Sequence, residues 1–180
     1  MNSSISQPSL IFLCGFMGAG KSTVGELLAK ELSYSFIDLD SLIEATHHQS
    51  ISELFNKQGE AAFRNIETNT LEACIKNNSN AVIALGGGTP CFHNNIDLLK
   101  KSGCLVYLKN DTNVLFARLK EQQTQRPLIQ NKKPEELLKF IEELLNQREP
   151  YYKQAHISII NNEIDTIPLL KEELNQFLLA

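Results

Sequence analysis

The stretch LCGFMGAGKST, residues 13–23, ends an apolar run and opens a glycine-rich one. Five apolar residues, 10–14, lead into Gly15, Gly18, Gly20, Lys21 and Ser22, which fit G-x-x-x-x-G-K-[ST]. The apolar run reads as a buried strand and residues 23–32 as the helix that follows. In that strand–loop–helix setting the pattern holds phosphate. Its glycines let backbone N–H groups converge on phosphate oxygens, and the helix start adds the positive end of its dipole. Lys21 then reaches the β- and γ-phosphates, and Ser22 can ligate Mg²⁺. The plainer reading is a glycine-rich turn that only joins strand to helix. The coincidence of strand, motif and helix argues against it. A nucleoside triphosphate site is the strongest single inference from this chain.

Outward from the loop, short apolar runs alternate with helical patterns. Residues 10–14, 36–39, 81–85, 104–108 and 157–160 read as strands, being short and rich in β-branched or aromatic side chains. The first, third and fourth are almost continuously apolar, as suits a parallel sheet covered on both faces. Helical spacing runs through 52–75, with Gly59 expected to break it, through the segment after Pro134, and from about 168 to 179. Such alternation implies an α/β layered fold with right-handed crossovers. Two segments exceed what a sheet needs. One is a helical stretch at about 41–77; the other is the polar KEQQTQRPLIQNKKPEE, residues 120–136. A polar loop this long in a compact domain is more often functional or mobile than structural.

The 180 residues suit one domain with a sizeable core. A formal net charge of −4 argues against a surface that wraps nucleic acid. No run approaches the roughly 20 apolar residues of a membrane span. The leading MNSSISQPS carries no lysine or arginine with which to begin a signal peptide. Cys14, Cys74, Cys91 and Cys104 lie far apart without a CxxC pair, so they read as reduced, mostly buried thiols. The expectation is a cytoplasmic monomer with no nucleic-acid or membrane partner.

FIDLD, residues 36–40, brings Asp38 and Asp40 to the end of the second strand. Residues two apart on a strand point the same way, so both carboxylates are expected where open α/β sheets bind ligands. One suits the water shell of Mg²⁺, and the other suits accepting a hydroxyl proton. The alternative is a helix cap at Asp40 or Ser41, which does not exclude catalysis. AVIALGGGTP, residues 81–90, ends its strand in glycine and lacks the apolar-run-then-Asp-Glu pattern, which leaves Asp38 as the acidic partner for the metal. Gly86, Gly87 and Gly88 allow close backbone approach and offer N–H donors, or form a flexible turn before a helix near Asn94. Arg64, in AAFRNIE, sits among core-like Phe63 and Ile66 and needs a partner, which Glu67 at i+3 can supply. Arg148, in NQREPYY, follows a helix and suits bidentate contact with carboxylate or phosphate. Arg126, before Pro127 in the polar loop, is the natural lid arginine. Arg64 or Arg148 taken alone would more often be a surface salt-bridge residue.

Taken together, GFMGAGKST, FIDLD, GEAAFRNIE, LGGGTP, RPLI and REPYY occur in the order of the shikimate kinase family, which the chain resembles from about residue 10 to 160. The resemblance implies a doubly wound α/β P-loop kinase fold with a five-stranded parallel sheet. It also implies a shikimate-binding insert (about 41–77) and a closing lid (about 120–134). It implies an enzyme that uses ATP and Mg²⁺ to phosphorylate the 3-hydroxyl of shikimate, on the route to aromatic amino acids. Asp40, Arg64, Gly87 and Arg148 would then hold shikimate, with Asp40 on the ring hydroxyls and the two arginines on the carboxylate. Phe63 and Glu67 would shape and support that pocket, and Gly86 and Gly88 would flank it. Gly18, Ala19, Gly20, Lys21, Ser22 and Thr23 would cradle ATP, with Arg118 stacking on the base. Ser22 and Asp38 would serve the metal, and Arg126 would close over the phosphates. Lys21, Asp40 and Arg126 are the expected catalytic residues.

Two alternatives remain at this point. A kinase for another small polyol acid, such as gluconate, could use the same loop. A nucleotide-gated switch would need D-x-x-G and N-K-x-D elements, and Asn56-Lys57 and Asn131-Lys132 lead into neither.

Overall fold

β1 (Leu10–Cys14) is apolar at every position because both of its faces are covered. Leu10, Phe12 and Cys14 face one cluster, and Ile11 and Leu13 face another, which is the two-residue alternation of a strand. The computed structural model describes residues 9–123, 127–129, 132–161 and 165–179. Its strands are β1, β2 (Ser35–Asp38), β3 (Ala81–Ala84), β4 (Cys104–Lys109) and β5 (Ile157–Ile160). They form one parallel sheet in the order β2-β3-β1-β4-β5, with Leu13 opposite Ala84 on one side and Val106 on the other. The doubly wound five-stranded sheet expected from the sequence is therefore present.

Helices α1 (Lys21–Leu32) and α7 (Thr166–Phe177) cover the Ile11 face through Val24, Leu28, Leu170 and Leu174. The Phe12 face is covered by α2 (Leu39–His47), α3 (Ile51–Asn77), α4 (Asn95–Ser102) and α6 (Pro134–Tyr152). A third cluster packs Phe16, Met17 and Ala19 of the glycine loop onto α5 (Thr112–Glu121) and α6, through Leu115, Leu119, Leu137 and Ile141. The glycine loop thus sits on a packed floor. Among the described residues no helix is long and apolar enough to cross a membrane.

Two of the boundaries that differ from the sequence reading bear on the site. The second strand stops at Asp38, because the Asp38 carboxylate accepts the Ser41 N–H at 3.1 Å and caps α2. Asp40 consequently lies in the first turn of α2, and strand alternation does not relate it to Asp38. Arg148 lies inside α6, which continues through Pro150 to Tyr152. The expected break in α3 is real: Gly59 adopts φ 79° and ψ 170°, and no atom lies within 4 Å of where its Cβ would stand. Glycine is needed there for conformation alone. Ser50 and Glu53 cap the start of α3 reciprocally.

His156 joins the sheet's edge to α7. Its Nδ1 accepts the Leu105 N–H at 3.0 Å, and its ring lies 4.9 Å from that of Phe177. Burial, and then Lys100, hold its pKa below the ordinary 6.5. The native state therefore favours the neutral ring. That contribution is in place above 6.5 and is lost as pH falls from there through the lower folded value. Urea unfolding midpoints measured from about pH 7 to pH 5 should decline less for His156→Asn, which retains an acceptor and does not titrate, than for the wild type.

Candidate active site

The glycine loop is shaped by contacts that only glycine permits. Gly15 has φ 145°, and a Cβ on it would stand 2.7 Å from the Leu108 carbonyl oxygen of the neighbouring strand. Gly20 has φ 84° and begins α1 in the left-handed region. Lys21 Nζ donates to Gly15 O and Phe16 O at 3.0 Å each, so the loop's own carbonyls hold the ammonium. Asn161 Nδ2 donates to Ala19 O at 2.8 Å and Arg118 Nη1 to Gly18 O at 3.0 Å, while Thr166 Oγ1 donates to Asn161 Oδ1 at 2.9 Å. The ends of α5, β5 and α7 thus brace the loop from one side.

On the other side Ser22 Oγ donates to Asp38 Oδ2 at 2.6 Å. Both carboxylates expected at this strand end, Asp38 and Asp40, line a cleft of about 540 Å³ together with Gly18, Gly20, Lys21, Ser22, Thr23, Gly87 and Arg118. The cleft opens at the C-terminal ends of the strands, where parallel sheets take their ligands. Ala19 is buried beneath the loop and contributes its carbonyl rather than cleft surface. Arg126 lies outside the described residues. Leu27, Gln122, Asn161, Thr166 and Ile167 also line the cleft and were missed from the sequence. The position of Asn161, directly after a parallel strand, is the signal that could have found it.

Behind the cleft wall, Gly86 to Gly88 serve space rather than conformation, for none of them has a positive φ. A Cβ on Gly86 would stand 2.7 Å from Glu67 Oε1 and 2.8 Å from Asp40 Oδ1. One on Gly87 would stand 3.3 Å from Arg148 Nη1, and one on Gly88 would stand 2.7 Å from Arg64 Nη1. Each absent side chain thus makes room for a charged one. Tyr152 Oη donates to Gly87 O and holds the loop in place.

The two arginines differ sharply. Arg64 is 5% exposed and pairs with Glu67, as expected, and also with Glu60, each at 3.0 Å. Glu67 is buried and its other oxygen accepts Thr89 Oγ1 at 2.6 Å. Phe63 is buried behind Arg64, its ring 4.3 Å from that of Phe55. Arg148 is 8% exposed, and among the described residues no carboxylate pairs with it. Burial pushes the Cys91 thiol up to about 11, against the pull of Arg148 and Arg64. Burial likewise pushes Cys14, at the end of β1, up to about 12, against the pull of Lys21.

A phosphate loop at the end of a central parallel strand, facing carboxylates from the end of β2 and the first turn of α2, is the arrangement of a P-loop kinase. Comparison with known proteins narrows this. The family model for shikimate kinase matches residues 17–178, and the chain belongs to that family. A shikimate kinase of Bacteroides fragilis is 47% identical over 146 residues, 81% of each chain. The crystal structure of shikimate kinase from Bacteroides thetaiotaomicron superposes with TM-score 0.83 at 39% identity, covering 94% of this chain and 96% of the other. The shikimate kinase from Acinetobacter baumannii, solved in complex with shikimate, gives 0.84 at 34% identity, covering 94% and 93%.

Proposed function

We propose that this chain phosphorylates the 3-hydroxyl of shikimate with ATP, giving shikimate 3-phosphate and ADP. The observation that carries the reading is the wall shared by two sites. Gly87 lines the phosphate cleft and also meets buried Arg148, which no carboxylate among the described residues pairs. A small hydroxylated acid whose carboxylate reaches Arg148 and Arg64 would present its hydroxyls to Asp40 and the cleft.

In this reading Lys21 and the loop from Gly18 to Thr23 hold the β- and γ-phosphates, and Arg118 holds the base side of the nucleotide. The 3-hydroxyl oxygen attacks the γ-phosphorus as the bond to the β-phosphate oxygen breaks, and Asp40 takes the hydroxyl proton. Phe63 and Glu67 fix Arg64, and Gly86 to Gly88 leave room for the groups that grip the acceptor. Residues 41–77 form the acceptor-binding insert. The polar segment at about 120–134 would serve as the lid, and Arg126, outside the described residues, is the arginine assigned to the phosphates.

Ser22 Oγ and Asp38 Oδ2, side by side at 2.6 Å, are the hard oxygen donors that Mg²⁺ takes. Among the described residues no three His, Cys, Asp or Glu side chains gather to hold a metal, which suits an ion bound largely through nucleotide phosphates. When bound, the ion would neutralise charge on the transferring phosphates. The enzyme acts in this reading as a cytoplasmic monomer, its four thiols free as a reducing compartment keeps them.

An ADP-release assay offering shikimate, gluconate and nucleoside monophosphates in turn tests the assignment. Turnover is expected on shikimate. Turnover on gluconate with none on shikimate would reject it.

A further inference from the structure

The turn after the triple glycine touches Arg64 at both of its ends. It is a short 3₁₀ segment, Thr89–Cys91, with Gly88 before it and Phe92 after it. A Cβ on Gly88 would stand 2.7, 2.9 and 2.9 Å from Nη1, Cζ and Nη2 of Arg64, nearly equidistant, so this backbone lies against a face of the guanidinium. The Arg64 Cζ lies 4.3 Å from the centroid of the Phe92 ring, closer than to Phe63 at 5.3 Å or Phe55 at 5.4 Å. Midway along the turn, Thr89 Oγ1 holds Glu67, whose other oxygen accepts Arg64 Nη1 at 3.0 Å.

Phe92 itself has no other evident task. It is half-buried and belongs to none of the three apolar clusters. Among the described residues its ring meets no other aromatic or cationic group. A large aromatic side chain held partly in water and laid on one cation acts on that cation.

We infer that Phe92 is a positioning residue for the acceptor: its ring, with the Gly88 backbone, clamps the Arg64 guanidinium in the plane that receives the acceptor carboxylate. This rests on the reading of Arg64 as an acceptor contact. The ring's negative face attracts the cation and shields it from water, which strengthens its pull on an incoming anion. A leucine would preserve apolar cover and lose the ring's electrostatics, and a tyrosine would retain both.

Steady-state kinetics with shikimate and ATP, each varied in turn, separate this from a packing role. The wild type is measured first; absence of turnover on shikimate at that stage is a failure of the proposed function and not of the clamp. Phe92→Leu should raise the KM for shikimate about five- to twentyfold, with kcat and the KM for ATP near wild type. Phe92→Tyr should restore the wild-type value. A Phe92→Leu enzyme with an unchanged shikimate KM overturns the inference. So does a loss shared equally between shikimate and ATP, or one that Phe92→Tyr fails to rescue.

Discussion

Replacing Arg148 by alanine is expected to raise the KM for shikimate about a hundredfold, with the KM for ATP little changed. Arg148 is buried within α6, beside Gly87, and no carboxylate among the described residues neutralises it. Arg64 already carries Glu60 and Glu67, so the incoming acid finds its readiest counter-charge at Arg148. Arg148 is hydrogen-bonded to Tyr152 but its charge is balanced by no carboxylate among the described residues, so removing it should leave the thermal midpoint near wild type. This separates the two roles cleanly. A structural arginine would show a lowered midpoint and equal losses on both substrates. Arg148→Lys should recover only part of the loss, because an ammonium restores charge and not the planar fork. Kinetics with each substrate varied, beside a thermal melt, decide the matter.

The second large effect is at Lys21. Lys21→Ala should lower kcat about a thousandfold or more while the protein keeps its fold. The ammonium is held by Gly15 O and Phe16 O, Lys21 lines the cleft, and it is absent from the apolar clusters. Its position is the first residue of α1, where alanine is well tolerated. A circular dichroism spectrum and melting midpoint near wild type should accompany the loss of turnover. An unfolded variant would mean that the lysine ties the loop together rather than serving phosphate.

Local pattern carried much of this molecule. The apolar runs of β1, β3 and β4 are buried strands because a parallel sheet between two helix layers leaves no polar face. The phosphate loop was legible because its glycines, lysine and serine act within a few residues of one another. Gly59 was legible as a break for the same reason. The acidic pair shows where such reasoning slips. Asp38 and Asp40 do share the cleft, but a cap hydrogen bond turns the chain between them, so strand alternation is not what aligns them. The triple glycine shows it again. Its motif suggested donors for a ligand, and the structure uses the missing Cβ volume for Arg64, Arg148, Asp40 and Glu67.

The sequence by itself determined the layered sheet, the phosphate loop and, through motif order, the family, because each depends on residues close along the chain or on their order. Only the tertiary structure decided which loop residues Asn161 and Arg118 brace, and that Phe92 covers Arg64. Those contacts join segments brought together by crossovers of the sheet, and neither spacing nor composition encodes the distance between two side chains on different elements. LCGFMGAGKST marks where phosphate would be held. The folded wall behind it places a buried guanidinium, facing no carboxylate among the described residues, where the acceptor's charge would lie.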